Sequence, residues 1–179
     1  QSLSTKMKQP RNLLTALCIL VTCVVQSAFG LEIVEIARST IDEQALMFPH
    51  DEIASPYGKT KFGTNINGRT HQQWPLQTFK GYQYATYYDH NRYVCVARRK
   101  LPTGNWNVIR FTDYRIENND SHNVAVIGIA EGDGSIHLTF DHHKSPLNYR
   151  STGPGVATNP ESARWDASLF STVTDQLGP

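Results

Sequence analysis

Short apolar runs that repeat at a fixed interval constrain this chain more than any other feature. Runs at 84–88, 93–98 and 106–111 form one triplet, and runs at 124–130, 136–140 and 147–150 form a second, roughly 42 residues further on. Aromatic and β-branched residues fill the runs. Turn formers fill the gaps, at Asp89-His90-Asn91, Leu101-Pro102-Thr103-Gly104-Asn105, Glu131-Gly132-Asp133-Gly134 and Ser145-Pro146. Such residues suit a pleated, half-buried surface between tight turns, so the pattern predicts an antiparallel meander. No amphipathic helical pattern of useful length occurs. A period of about 40–45 residues with three or four strands per unit is that of a β-propeller blade. A β-sandwich also spaces its strands evenly and stays open on periodicity alone.

The expected fold class is therefore all-β, as antiparallel propeller blades. A ring needs at least four blades of about 40–45 residues, and the residues after 30 supply three at most, so a piece of a longer protein is expected. Residues 78–120 make the first recognisable blade, 121–163 the second, and 164–179 the start of another. Residues 31–77 read poorly. Ile33-Val34-Glu35-Ile36-Ala37 has the composition of a strand, while 48–74, with Pro49, Pro56, Gly58, Gly63 and Gly68 among polar residues, looks irregular.

The N-terminus has a different character. Met7-Lys8-Gln9-Pro10-Arg11 leads into an apolar run at 13–25, thirteen residues, which is short for a bilayer core of roughly 30 Å at about 1.5 Å per residue. Ser27-Ala28-Phe29-Gly30 follows, with small residues where a signal peptidase reads. A basic head, a short apolar centre and a small-x-small exit predict a secretory signal peptide over 1–30, with 1–6 upstream of the first Met. An uncleaved anchor is the alternative. The mature protein is then secreted or extracellular, periplasmic or at the cell surface if bacterial, off the membrane and monomeric.

Charge excludes one class of partner. The chain carries 17 Lys+Arg and 16 Asp+Glu, and three of the basic residues (Lys6, Lys8, Arg11) sit in the leader. What remains is close to neutral, with no single-signed field to hold a polyphosphate, so no nucleic-acid partner is expected. Cys18 and Cys23 leave with the leader. Cys95 stays in an apolar run, where a buried, inert thiol is expected, and no Cys-x-x-Cys spacing offers a thiolate metal site.

Four of the seven histidines cluster in the second repeat: His122, His137, His142 and His143. The hairpin turn is centred near Gly132-Asp133, so His122 precedes it and His142-His143 follow it by about ten residues each. In an antiparallel pair these positions face one another across the ladder, within a residue of register. Only one of His142 and His143 can share a face with His122, because side chains alternate along a strand. Imidazoles beside Asp141 at one rim can act as base, charge neutraliser or metal ligands. They can equally satisfy turn carbonyls. His137, mid-strand, is expected to pack. Asn123 can donate an amide hydrogen bond to substrate or cap its own turn.

Arg98-Arg99-Lys100 ends a strand and is either solvated or a binding patch. The aromatics at 82, 84, 87, 88, 93, 106 and 149 can stack on sugar rings or pack between blades. Asn119-Asp120-Ser121 is an N-glycosylation sequon immediately before His122, where a glycan would crowd the candidate site.

Gly81-Tyr82-Gln83-Tyr84-Ala85-Thr86-Tyr87-Tyr88, Val96-Ala97-Arg98-Arg99, Asp120-Ser121-His122-Asn123 and the stretch from Gly134-Ser135-Ile136-His137-Leu138-Thr139-Phe140-Asp141-His142-His143 to Leu147-Asn148-Tyr149-Arg150 carry a resemblance. On these residues, over roughly 78–175, the chain resembles the BNR-repeat-containing propeller family, which includes ulvan lyases and related polysaccharide lyases on seven-bladed propellers. Trp165-Asp166-Ala167-Ser168-Leu169-Phe170 resembles that family's lead into a further blade. The Ser-x-Asp-x-Gly-x-Thr-Trp box of sialidases is absent.

The resemblance implies a secreted enzyme that cleaves an acidic, uronate-containing polysaccharide by β-elimination. By position, His122 would be the base, and His142 or His143 would neutralise or position the carboxylate. Apart from the resemblance, Asn123, Asp141 and Arg98 are the candidate substrate-binding residues on their own chemistry and position. The family's acid Tyr and carboxylate-binding Arg would lie on later blades, so these residues alone would be inactive. No cofactor and no metal at the site are expected, with a structural zinc or calcium ion elsewhere left open. Two other readings stand beside this one: a non-catalytic carbohydrate-binding propeller, and a zinc site made by His122 with His142 or His143.

Overall fold

Two antiparallel meanders follow one another along the chain. In this computed structural model, which describes residues 33–50, 54–72 and 74–175, the first comprises β1 (Leu76–Phe79), β2 (Tyr82–Tyr88), β3 (Tyr93–Lys100) and β4 (Asn107–Arg115), in spatial order β1-β2-β3-β4. The second comprises β5 (Val126–Ile129), β6 (Ile136–Phe140) and β7 (Asn148–Ser151), in spatial order β5-β6-β7. Antiparallel bridges Tyr149↔Thr174 and Thr152↔Phe170 lay the chain after the 3-10 turn Ala167–Leu169 beside β7 as a rudimentary fourth strand. The all-β class and the blade-like sheets agree with the expectation. The signal peptide expected at 1–30 lies outside the described residues.

Local sequence explains the turns. Lys80 and Gly81, with φ of 44° and 78°, form a two-residue turn between β1 and β2, with the positive φ at both positions that matches strand twist. Gly134 closes the β5–β6 connection with φ 73°, and its N–H donates to the Ala130 carbonyl at 2.7 Å. A Cβ there would stand 2.8 Å from the Thr158 backbone nitrogen, so the position needs glycine for both space and conformation.

Alternation along the strands assigns the core. Tyr82, Tyr84 and Tyr88 of β2, Val94 and Val96 of β3, and Ile109 and Phe111 of β4 share one face. They meet Ile127, Ile136, Leu138 and Phe140 of the second sheet in one buried cluster. The opposite face of β2 and β3 carries Tyr87, Cys95 and Ala97, covered by Ile41, Ala45 and Trp106. Burial on both faces is why these two strands read as nearly unbroken apolar runs.

Burial pushes the Cys95 thiol up to about 12. At pH 8 its thiolate fraction is then about one in ten thousand. Alkylation followed on the Cys95 peptide by mass spectrometry is expected to be negligible in the native protein and rapid in denaturant. Equal rates in the two states would contradict that burial.

Several boundaries differ from the sequence-based expectation. β1 is a fourth strand that the triplet pattern did not contain: four residues of an edge, each at least partly exposed. β4 runs on to Arg115 because its last residues, Thr112-Asp113-Tyr114-Arg115, need only one neighbour and can stay polar. β5 starts at Val126, since 123–125 are drawn into a loop. Residues 33–37 join no strand, and Ile33, Val34 and Ile36 are exposed.

The described residues of the 48–72 stretch form no strand of the two sheets, yet Phe48 and Ile66, with Leu46 just before them, are buried in the main core. Asn67 explains how it docks. Its side-chain oxygen accepts from the Tyr88 N–H at 2.8 Å, and its amide donates to the Tyr88 carbonyl at 2.9 Å. One side chain thus imitates the missing strand partner at the end of β2.

Candidate histidine site at the rim of the second sheet

The register of the second hairpin decides which histidines meet. Ile129↔Ile136 and Val126↔Thr139 place the turn centre between residues 132 and 133. Carried outward, that register sets 122 opposite 143. Both residues stand on loops just beyond the ladder, and their ring centroids are 4.7 Å apart. His142 is exposed and does not belong to the group formed by Asp120, His122 and His143.

Asp120 is the hub. The 116–125 connection is pinned by a parallel bridge Lys61↔Asp120, through Lys61 N–H to the Asn119 carbonyl at 2.9 Å and Ser121 N–H to the Lys61 carbonyl at 3.3 Å. Asp120 Oδ1 accepts from the His122 N–H at 3.1 Å and faces His122 Nδ1 at 2.9 Å. Its Oδ2 stands 3.4 Å from His143 Nδ1. Burial by itself would raise the Asp120 carboxyl. The hydrogen bonds from His122 and the neighbouring imidazoles more than offset that and hold it below the ordinary carboxylate range.

Tyr88 joins the two arms from below. Fully buried, its hydroxyl accepts from the Asp141 N–H at 3.0 Å and donates to the Asn123 carbonyl at 2.7 Å. Asn123 completes the link: its Oδ1 accepts from the His143 N–H at 2.6 Å, and its amide donates to Asn118 Oδ1 at 3.0 Å. Asn123 is therefore a positioning residue that sets the His143 loop against the His122 loop.

Asp141, expected to contact substrate, has another task. It is 4% exposed with φ 45°, and its oxygens accept from the Tyr114 hydroxyl at 2.6 Å and the Asn118 amide at 3.0 Å. Arg98 is likewise engaged elsewhere. Its guanidinium donates to the Pro160 carbonyl and lies over the Trp165 ring at 4.5 Å. It sits four residues along β3 from Val94, the partner of Tyr88, which is roughly 13 Å of strand. Its neighbours are also paired: Arg99 Nε donates to Gln83 at 2.7 Å, and Lys100 meets Glu161 at 2.9 Å. His137 is half-buried between the Ser135 hydroxyl at 2.7 Å and the Tyr149 hydroxyl at 2.6 Å, a polar setting rather than an apolar one.

Two neighbours of His122 escaped the sequence reading. The Phe62 ring centroid is 4.0 Å away and that of His71 is 5.2 Å away. Both come from the 54–72 segment, whose fold depends on long-range packing, and no local spacing linked them to the hairpin. The sequon concern resolves structurally. Asn119 is 1% exposed, and its amide nitrogen donates to the Ser55 hydroxyl at 3.1 Å and the Gly58 carbonyl at 2.9 Å. A glycan on that nitrogen is incompatible with this packing.

Comparison with known proteins places the fold. The crystal structure of the polysaccharide lyase Uly1 matches with a TM-score of 0.56 and 19% sequence identity, over 73% of this chain and 34% of the lyase chain. The chain thus spans about a third of that protein's length. At this identity the likeness shows a common fold. No curated protein matches the sequence. The model for BNR repeat-containing family members matches residues 82–178, more than half of the chain, and both sheets fall almost wholly inside that match. The chain belongs to the BNR repeat-containing family.

Proposed function

We propose that this protein is the part of a secreted polysaccharide lyase that carries the proton acceptor, acting by β-elimination on a uronate-containing polymer. The observation that carries this reading is the Asp120 carboxylate facing Nδ1 of both His122 and His143, at 2.9 and 3.4 Å. An ionised carboxylate only accepts hydrogen bonds, so it favours the tautomer with hydrogen on Nδ1. The Nε2 lone pair of His122 is then free to take a proton. The His122 side chain is 34% exposed, enough for a polymer to reach it.

In the reaction, His122 Nε2 takes the C5 proton of the uronate. The C5–H pair becomes the C4=C5 double bond, the C4–O4 bond breaks, and O4 leaves with a proton from a general acid. Charge builds on the uronate carboxylate as C5 is deprotonated, and cations or strong donors must offset it. His143, beside His122 on the same carboxylate, is placed to serve in that role. The Phe62 ring supplies an apolar wall. Action outside the cell accords with the basic head, short apolar run and small-residue exit at the N-terminus. No helix among the described residues is long and apolar enough to cross a membrane.

Incubation of the intact protein with ulvan or a similar uronate polymer is expected to generate the ultraviolet absorbance of unsaturated uronate. His122→Ala is expected to reduce that rate about 10³-fold, the usual weight of a general base, with polymer binding retained. Polymer binding without new chain ends, in wild type and His122→Ala alike, would instead establish a carbohydrate-binding propeller without catalysis.

A further inference from the structure

We propose that Asp120, His122 and His143 also form a binding site for a zinc-type divalent metal ion, and that an ion there silences the base. One donor atom from each residue falls within a group spanning at most 4.8 Å. Zn–N and Zn–O bonds are about 2.0–2.2 Å, so donors sharing a tetrahedral ion stand about 3.3 Å apart. Asp120 Oδ1 stands 2.9 Å from His122 Nδ1 and Asp120 Oδ2 stands 3.4 Å from His143 Nδ1, so each carboxylate oxygen has one imidazole nitrogen at about that separation.

A second observation points the same way. His143 Nδ1 is buried and makes no hydrogen bond: the Asp120 oxygen at 3.4 Å is near enough for attraction but outside hydrogen-bond geometry. A buried ring nitrogen left this way is costly unless a further partner fills the gap. An ion between that nitrogen and the carboxylate satisfies both, with a fourth position left to water. One carboxylate and two imidazoles are a donor set suited to zinc.

The chemical consequence is a change of tautomer. Without metal, the carboxylate favours hydrogen on Nδ1 of His122 and leaves Nε2 basic. With metal on Nδ1, the neutral ring carries its hydrogen on Nε2, which can then accept nothing. Binding and proton abstraction therefore exclude one another at the same ring. Only this inhibitory consequence rests on the lyase reading; the binding itself does not.

The test is calorimetric titration of chelator-treated, full-length chain with zinc chloride, repeated with Asp120→Asn and His143→Gln. One equivalent is expected to bind, with affinity at least about tenfold weaker in each variant. Cobalt(II) offered to the wild type should give the intense visible bands of a tetrahedral site, a readout independent of whether any variant folds. Absence of both zinc heat and cobalt bands, or zinc binding unchanged in the variants, would overturn the proposal. Zinc binding in a protein that makes no unsaturated uronate would retain the metal site and remove the lyase. Lyase activity indifferent to saturating zinc would overturn the exclusion.

Discussion

Asp120→Asn is expected to lower kcat/KM for uronate polymer by on the order of 10³-fold while leaving the protein folded. The side chain barely changes shape, and the bridge to Lys61 that fixes this loop uses backbone atoms only. What changes is the proton count. A carboxylate can only accept from the imidazoles, whereas an amide can turn its NH2 toward Nδ1 and place the ring hydrogen on Nε2. His122 would then keep its position and lose its lone pair. The loss should fall on kcat, with KM nearly unchanged, since the Asp120 oxygens face the two imidazoles and its side chain is largely buried. Steady-state kinetics with circular dichroism as a folding control checks this. Activity within threefold of wild type would show that Asp120 is only a loop anchor.

Tyr88→Phe is expected to be costly for the removal of a single oxygen atom. The hydroxyl is the partner of the Asp141 N–H and the Asn123 carbonyl, and all three groups are buried. Leaving a buried donor or acceptor unsatisfied costs about 1–3 kcal/mol, so a loss of about 3 kcal/mol is expected for the two together. For a chain of this size that is a fall of roughly 6–12 °C in Tm. The same change loosens both histidine loops, since Asn123 holds His143 and Asp141 starts its loop. Activity should therefore fall more than stability alone explains at a temperature where the variant is fully folded. A Tm within about 2 °C of wild type would mean that water replaces the hydroxyl.

How much of this was legible beforehand depended on how far each contact reaches along the chain. The β5–β6 pairing was readable because the Gly132-Asp133 turn and the alternation of Ile136, Leu138 and Phe140 set a register by local rules. His122 and the His142-His143 pair followed from it by counting. The choice of His143 did not, because both arms leave the ladder before reaching the histidines, and loop geometry held by Asn123 and Tyr88 decides the facing pair. Phe62 and His71 were invisible for a related reason. They arrive through the docking of an irregular segment whose anchors, the Asn67 side chain on the Tyr88 backbone and the Lys61 backbone on that of Asn119, leave no periodic trace.

Asp141 and Arg98 differ from the histidines in being held by the scaffold. Asp141 beside the histidine pair and Arg98 in a basic run along β3 both invite a substrate role on chemistry alone, and each has structural partners, Asp141 in Tyr114 and Asn118 and Arg98 in Pro160 and Trp165. A buried charge such as Asp141 must have partners, and here they come from the end of β4 and the loop after it, which sequence spacing does not connect to Asp141. Asp120 reversed the situation. It read as the middle of a sequon and proved to be the residue that both imidazoles face.

The protonation pattern of His122 shows whether Asp120 prepares that ring as a base. Long-range proton–nitrogen NMR of metal-free protein, at a pH where the ring is neutral, reports which ring nitrogen carries hydrogen. Hydrogen on Nδ1 and a bare Nε2 are expected in wild type, with the pattern lost in Asp120→Asn. Hydrogen on Nε2 in the wild-type protein would contradict that, because the nitrogen assigned to take the substrate proton would already hold one.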